Sequence, residues 1–133
     1  MSYHTRMFRW LGAITALSGA SMIALGALGA HHAASFFFPE QQHTFDTGLR
    51  YQAWHTLALL AVLMGAGKLP WQRVRTVCLL WLAGMVCFSG SLYAISWGGY
   101  HLGLITPIGG VLLILGWCVL SWQWARYAIH SHN

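Results

Sequence analysis

Thr47-Gly-Leu-Arg-Tyr-Gln-Ala-Trp-His55 runs unbroken into Thr56-Leu-Ala-Leu-Leu-Ala-Val-Leu-Met-Gly-Ala-Gly67, and the reading of residues 47–67 decides the fold. As a helix this segment rises about 30 Å, the thickness of a bilayer's hydrocarbon core. Its first two turns are polar: Arg50, Tyr51 and His55 stand at the entrance of an otherwise apolar run. His55 lies about 12 Å along the axis from Thr47 at the helical rise per residue. A strand cannot explain the length of this run, and a helix in water cannot explain its apolar second half.

The composition settles which solvent the chain meets. Of its 133 residues 57% are hydrophobic and 7% charged, and the mean hydropathy is +0.56. A soluble domain carries about 25% charged residues, so this chain cannot cover a water-facing surface. The fold class expected is all-α, an integral membrane four-helix bundle forming a single transmembrane domain over residues 1–133. The spans expected are 10–30, 47–67, 74–96 and 106–125. The retained helix at 10–30 competes with a cleaved leader ending near Ala27-Leu-Gly-Ala30; three further apolar segments favour the helix. The net charge of +5 is not gathered on a soluble face, so no nucleic acid is expected as partner. Cys78, Cys87 and Cys118 show no paired spacing and read as buried thiols.

Between the spans, residues 33–45 carry Phe36-Phe-Phe38, then Pro39, Glu40, Gln41 and Gln42, too polar to cross and suited to the headgroup layer. Asp46 or Thr47 is the natural cap of the second helix, and Thr106-Pro107 the natural start of the fourth. Trp10, Trp71, Trp97, Trp122 and Trp124 fall near span ends, as an interfacial belt requires. In a four-span arrangement Arg6, Arg9, Lys68, Arg73, Arg75 and Arg126 share one side and Arg50 alone has the other. The positive-inside rule then puts both termini in the cytoplasm. Trp10-Leu-Gly-Ala-Ile-Thr-Ala-Leu-Ser-Gly19 echoes Trp81-Leu-Ala-Gly-Met-Val-Cys-Phe-Ser-Gly90. A weak two-helix tandem repeat and chance likeness between apolar helices both account for it.

Few side chains are able to do chemistry. Tyr51 and His55 share a helix face, and Arg50 follows Asp46 by one turn, so those two can pair. Arg50 at a hydrocarbon edge serves equally as an anchor or as a group for an anion or headgroup. His31 and His55, if level on adjacent helices, are a candidate pair for haem iron or a metal; each also has a simple role in a helix end or a helix contact. Ser91, Tyr93 and Thr106 read as interhelical hydroxyls or, with His31, Arg50, Tyr51 and His55, as a ligand pocket at the outer end. The His130-Ser-His132 tail reads as a solvated end. No carboxylate lies inside a span, which disfavours proton-coupled efflux, and no nucleophile–base set is present, so an enzyme is not expected.

Gly26-Ala-Leu-Gly-Ala-His31, Thr47 to Ala58, Phe88-Ser-Gly-Ser-Leu-Tyr93, Thr106-Pro-Ile-Gly-Gly110 and Gly116-Trp117 together resemble the YgdD/YwdK-like family of small bacterial membrane proteins. The resemblance runs from the first span to the fourth. It implies a multi-pass protein of the bacterial inner or plasma membrane, and supplies no reaction and no site.

The function expected is that of a non-enzymatic structural or accessory subunit, with a small-ligand, lipid or quinone site at the outer end. The alternatives are an oligomeric channel or facilitator for a small solute, and bis-histidine haem or metal binding. No resident cofactor and no dedicated metal ligands are expected, with haem or quinone the groups left open. The partners expected are the lipid bilayer and a larger membrane complex or a homo-oligomer. Small residues along the first span, Gly19 and Gly26 among them, are expected to be its contact face.

Overall fold

The computed structural model describes residues 3–130, apart from the side chains of residues 32–34, 128 and 130. The chain is all helical across them: α1 (Tyr3–Phe36), α2 (Pro39–Met64), a one-turn 3-10 helix (Ala66–Lys68), α3 (Trp71–Gly98) and α4 (Ile105–His130). The His130–His132 tail lies outside the described side chains. Three helices have the length and apolar composition to cross a membrane: α1 over Tyr3–His31, α3, and α4 over Ile105–Tyr127. The polar first half of α2 keeps it out of that group. It nevertheless packs along both neighbours, Phe45 meeting Gly29 and Tyr93, and Thr56 meeting Ser18 and Met85. α1 packs on α2, α2 on α3 and α3 on α4, the last being the most extensive contact.

The helix ends differ from the sequence reading, and Phe45 is the physical reason. Phe45 has no exposed surface; it meets Gly29 of α1 and stands 5.3 Å from the Tyr93 ring and 5.7 Å from Phe37. Burying this ring carries α2 two turns beyond Asp46, so residues 33–45, expected as a loop or short helix, are the end of α1 and the start of α2. Phe38 is the N-cap, Pro39 the first helical residue and Glu40 the first-turn acid. The Phe38 N–H donates to Gln41 Oε1 at 2.9 Å, which closes the turn that Asp46 or Thr47 was expected to cap. Of the three consecutive phenylalanines only Phe37 turns inward, its ring 5.3 Å from Trp97; Phe36 and Phe38 are both exposed. Asp46 accepts from Gln42 Nε2 at 2.8 Å, so its partner is not Arg50.

α4 likewise begins one residue before Thr106. Thr106 Oγ1 lies 2.6 Å from Ser91 Oγ and so joins α4 to α3 instead of capping its own helix. The α3–α4 turn is made by Gly99 and Gly103, both in left-handed backbone geometry (φ +62° and +51°) that other residues adopt only at a cost. Trp10, Trp97, Trp122 and Trp124 are exposed near helix ends, as expected of a belt, whereas Trp81 has no exposed surface. The Trp10 and Trp81 segments therefore match in letters but not in environment. Cys78 is buried, Cys87 half-buried, and Cys118 faces outward, against the expectation of three buried thiols.

The core holds Leu11, Leu59, Leu63, Val74, Val77, Cys78, Trp81, Met85 and Leu113. Its tightest approach is not on α1. A Cβ at Gly109 would strike the backbone of Cys87 and Phe88, one at Gly116 the Trp81 indole, and one at Gly84 the Leu113 side chain. On α1 a Cβ at Gly19 or Gly26 would find only ordinary contacts, at 3.9 and 3.5 Å. The close backbone packing that small residues permit in lipid lies between α3 and α4.

A polar hub ties α1, α2 and α3 together within this apolar frame. Gln52 is buried on α2; its Nε2 donates to Ser21 Oγ at 2.9 Å and to Ser18 O and Oγ at 3.2 Å. Its Oε1 accepts from Tyr93 OH at 2.6 Å. Ser18 Oγ lies 2.7 Å from Thr56 Oγ1, and Ser89 Oγ donates to Gly48 O at 2.7 Å. Without water, each of these groups needs an internal partner, and each has one.

Three variants test this packing by reversible unfolding in mixed micelles. Gly109→Ala should lose about 1–3 kcal/mol from overpacking, whereas Gly12→Ala, with nothing within 4 Å of the new Cβ, should be neutral or gain up to about 1 kcal/mol from helix propensity. Gln52→Leu should lose about 1–2 kcal/mol as Tyr93 and Ser21 forfeit their partner.

Candidate ligand groove

On the other side of α2 a groove of about 650 Å³ opens between α2 and α4 with Phe88 of α3 in its wall. The helical period puts Tyr51, Trp54, His55 and Leu57 on the α2 wall, and Gly110, Leu113, Ile114 and Trp117 on the α4 wall. Gly110 widens it, since its missing side chain leaves the α4 wall open opposite Phe88. Trp54, Leu57, Ile114 and Trp117 are exposed at the rim, so the opening is lateral, toward lipid.

Five of the nine residues that line the groove carry rings: Tyr51, Trp54, His55, Phe88 and Trp117. Tyr51 stands 4.8 Å from Phe88 and 5.2 Å from Trp54 between centroids, and Trp81 and Trp117 stand 4.6 Å apart. His55 lies between these rings, 5.8 Å from Trp81 and 6.0 Å from Trp117. Its hydrogen bonds fix its chemistry. Trp117 Nε1 can only donate, and it lies 3.0 Å from His55 Nε2, so Nε2 is the acceptor. The ring proton is then on Nδ1, which donates to Tyr51 O at 2.8 Å. A neutral imidazole with both nitrogens engaged offers neither a free metal ligand nor a base. Among the described residues, the groove's unpartnered polar atoms are the Tyr51 hydroxyl and the Trp54 indole N–H.

The seven residues singled out in the sequence fall in five places. Tyr51 and His55 line the groove. Arg50, exposed on α2 beside them, lies about 17 Å along the axis from Pro39 and not at the helix entrance. Tyr93 belongs to the Gln52 hub on the opposite side, and Ser91 and Thr106 bond one another inside the α3–α4 seam. His31 is exposed on α1 at the level of residue 43 of α2, given that Gly29 faces Phe45. It is therefore about 18 Å from the level of His55, and the pair expected for haem or metal does not meet. Sequence reasoning passed over Gln52, Trp117 and Phe88. For Gln52 a signal existed: it is the one amide inside the quoted stretch, and an amide in lipid requires partners.

The comparisons with known proteins agree with this architecture. Residues 25–110 match the family described as Protein of unknown function (DUF423). A membrane protein of Haemophilus influenzae, named UPF0382 membrane protein, is 40% identical over 110 residues, covering 82% of this chain and 88% of that one. The Bacillus subtilis UPF0382 membrane protein YwdK is 39% identical over 124 residues, covering 92% and 98%. The Escherichia coli K12 inner membrane protein YgdD is 35% identical over 118 residues, covering 84% and 86%. No solved structure matches the chain. With most of its length shared with these membrane proteins, the chain belongs to the DUF423 family, the YgdD/YwdK-like membrane proteins.

Proposed function

We propose that this chain is a non-enzymatic accessory subunit of the bacterial inner membrane that holds a flat-headed amphiphile, an isoprenoid quinone being the best fit, in the α2–α4 groove. The observation that carries the reading is the pairing of ring-lined walls with unengaged donors at Tyr51 and Trp54. A planar head stacks between such rings, and its carbonyl oxygens accept from donors of that kind. An apolar tail leaves through the lateral opening directly into lipid. The engaged state of His55 argues for binding without proton chemistry. Six of the seven cations gather at the end that carries Lys68, which favours cytoplasmic termini by the positive-inside rule.

The test is quenching of tryptophan fluorescence by decylubiquinone in nanodiscs, set against a saturated acyl lipid of equal length. Wild type should bind the quinone saturably and the acyl lipid without saturation. Gly110→Leu should fill the groove and abolish binding, while Tyr51→Phe should weaken it about fivefold, the worth of one hydrogen bond. Undiminished saturable binding to a folded Gly110→Leu protein would contradict the proposal.

A further inference from the structure

A second groove of about 440 Å³ lies between α1 and α3, lined by Ile14, Leu17, Ser18 and Leu25 on one side and Leu82 and Val86 on the other. Its polar residues belong to the closed Gln52 hub, so its open surface is apolar. Followed toward the Lys68 end, the same face of α3 carries Arg75 two turns below Leu82 and Trp71 one turn below Arg75. The Trp71 ring meets Phe8 and His4 of α1 at centroid distances of 6.0 and 6.2 Å, which fixes this face on the α1–α3 seam.

Two atoms there have no partner. Trp71 Nε1 and Arg75 Nε are both buried and both without a hydrogen bond. Each can only donate, so what satisfies them is an acceptor, and beside a guanidinium the favoured acceptor is an anion. The chain cannot supply one: its two acidic side chains, Glu40 and Asp46, stand in the first turns of α2 at the opposite end. Gln123 Oε1 is also unpartnered, but it is an acceptor, and its amide nitrogen faces Arg73 O on the α4 side of α3. It lies outside this site.

We infer that Trp71 and Arg75 form a binding site for the phosphate of an anionic phospholipid, whose acyl chain lies in the α1–α3 groove. The donors and the apolar channel follow one face of α3, headgroup at the cationic end and tail toward the middle of the membrane. Charge complementarity selects the headgroup, and the groove selects a lipid over free phosphate. The site is separate from the α2–α4 groove, and neither reading depends on the other.

The test is native mass spectrometry of the full chain in mild detergent with added phosphatidylglycerol, phosphatidylcholine of the same acyl chains, or inorganic phosphate. Wild type should retain phosphatidylglycerol over phosphatidylcholine by about tenfold, as expected for one directed charge contact. Trp71→Phe keeps the ring against Phe8 and removes only the donor; it should lower retention several-fold. Arg75→Gln should erase the headgroup preference, and Val86→Trp, at an exposed groove position, should reduce retention of both lipids. Lys68→Gln, an exposed cation at the same end, should change nothing. Equal retention of the two lipids by wild type would overturn the inference, as would a Lys68→Gln loss matching that of Arg75→Gln. Displacement by millimolar phosphate together with an unaffected Val86→Trp protein would reduce the site to a phosphate site and overturn its lipid half.

Discussion

An amide buried in a hydrocarbon solvent has no neutral option: its donors and acceptor must find partners inside the protein. Gln52 meets that demand with Ser18 and Ser21 of α1 and Tyr93 of α3, so a single side chain of α2 fixes the positions of both neighbours. The interaction is directional where the rest of the core is not. Apolar packing among leucines tolerates sliding and rotation in lipid, while a hydrogen-bonded amide specifies register. With α1 and α3 set against α2 in this way, Gly109 and Gly116 bring α4 onto the backbone and indole surfaces of α3.

The least apolar helix is thus an interior one, packed on both α1 and α3, and its two buried polar groups, Gln52 and His55, point to its neighbours. Gln52 faces α1 and α3, and His55, one turn on, faces Trp81 and Trp117. What remains for other molecules is the surface these interactions leave uncovered: one ring-walled groove toward α4 and one aliphatic groove toward α1.

Much of the fold was legible in the sequence because bilayer thickness imposes it. Apolar runs of the required length, aromatic residues near their ends and cations between them identify a helical membrane protein with little ambiguity. The positions of helix ends were not legible. Asp46 and Thr47 carry good cap chemistry, yet the burial of Phe45 against Gly29 outweighs a cap and extends α2 to Pro39. Thr106 similarly bonds Ser91, a partner 15 positions away that no local rule reveals. At the candidate site, Tyr51 and His55 stood out because they are polar residues at a span entrance. Their partner Trp117 did not, since a tryptophan on an apolar helix looks like any other core or lipid-facing ring. The pairing of His31 with His55 failed for the same underlying cause: depth depends on where a helix begins, and that depends on tertiary packing.

The central claim is that Gln52 and His55 of α2 are bonded within the protein and leave ring surfaces, with the free Tyr51 and Trp54 donors, as the binding surface. Nitrogen-15 solid-state NMR of histidine-labelled protein in lipid bilayers tests it most directly, with His55 assigned by difference from His55→Gln. The account predicts a neutral ring protonated at Nδ1, with Nε2 hydrogen-bonded to an indole N–H and lost as an acceptor in Trp117→Phe. A ring protonated at Nε2, or an imidazolium, would contradict it.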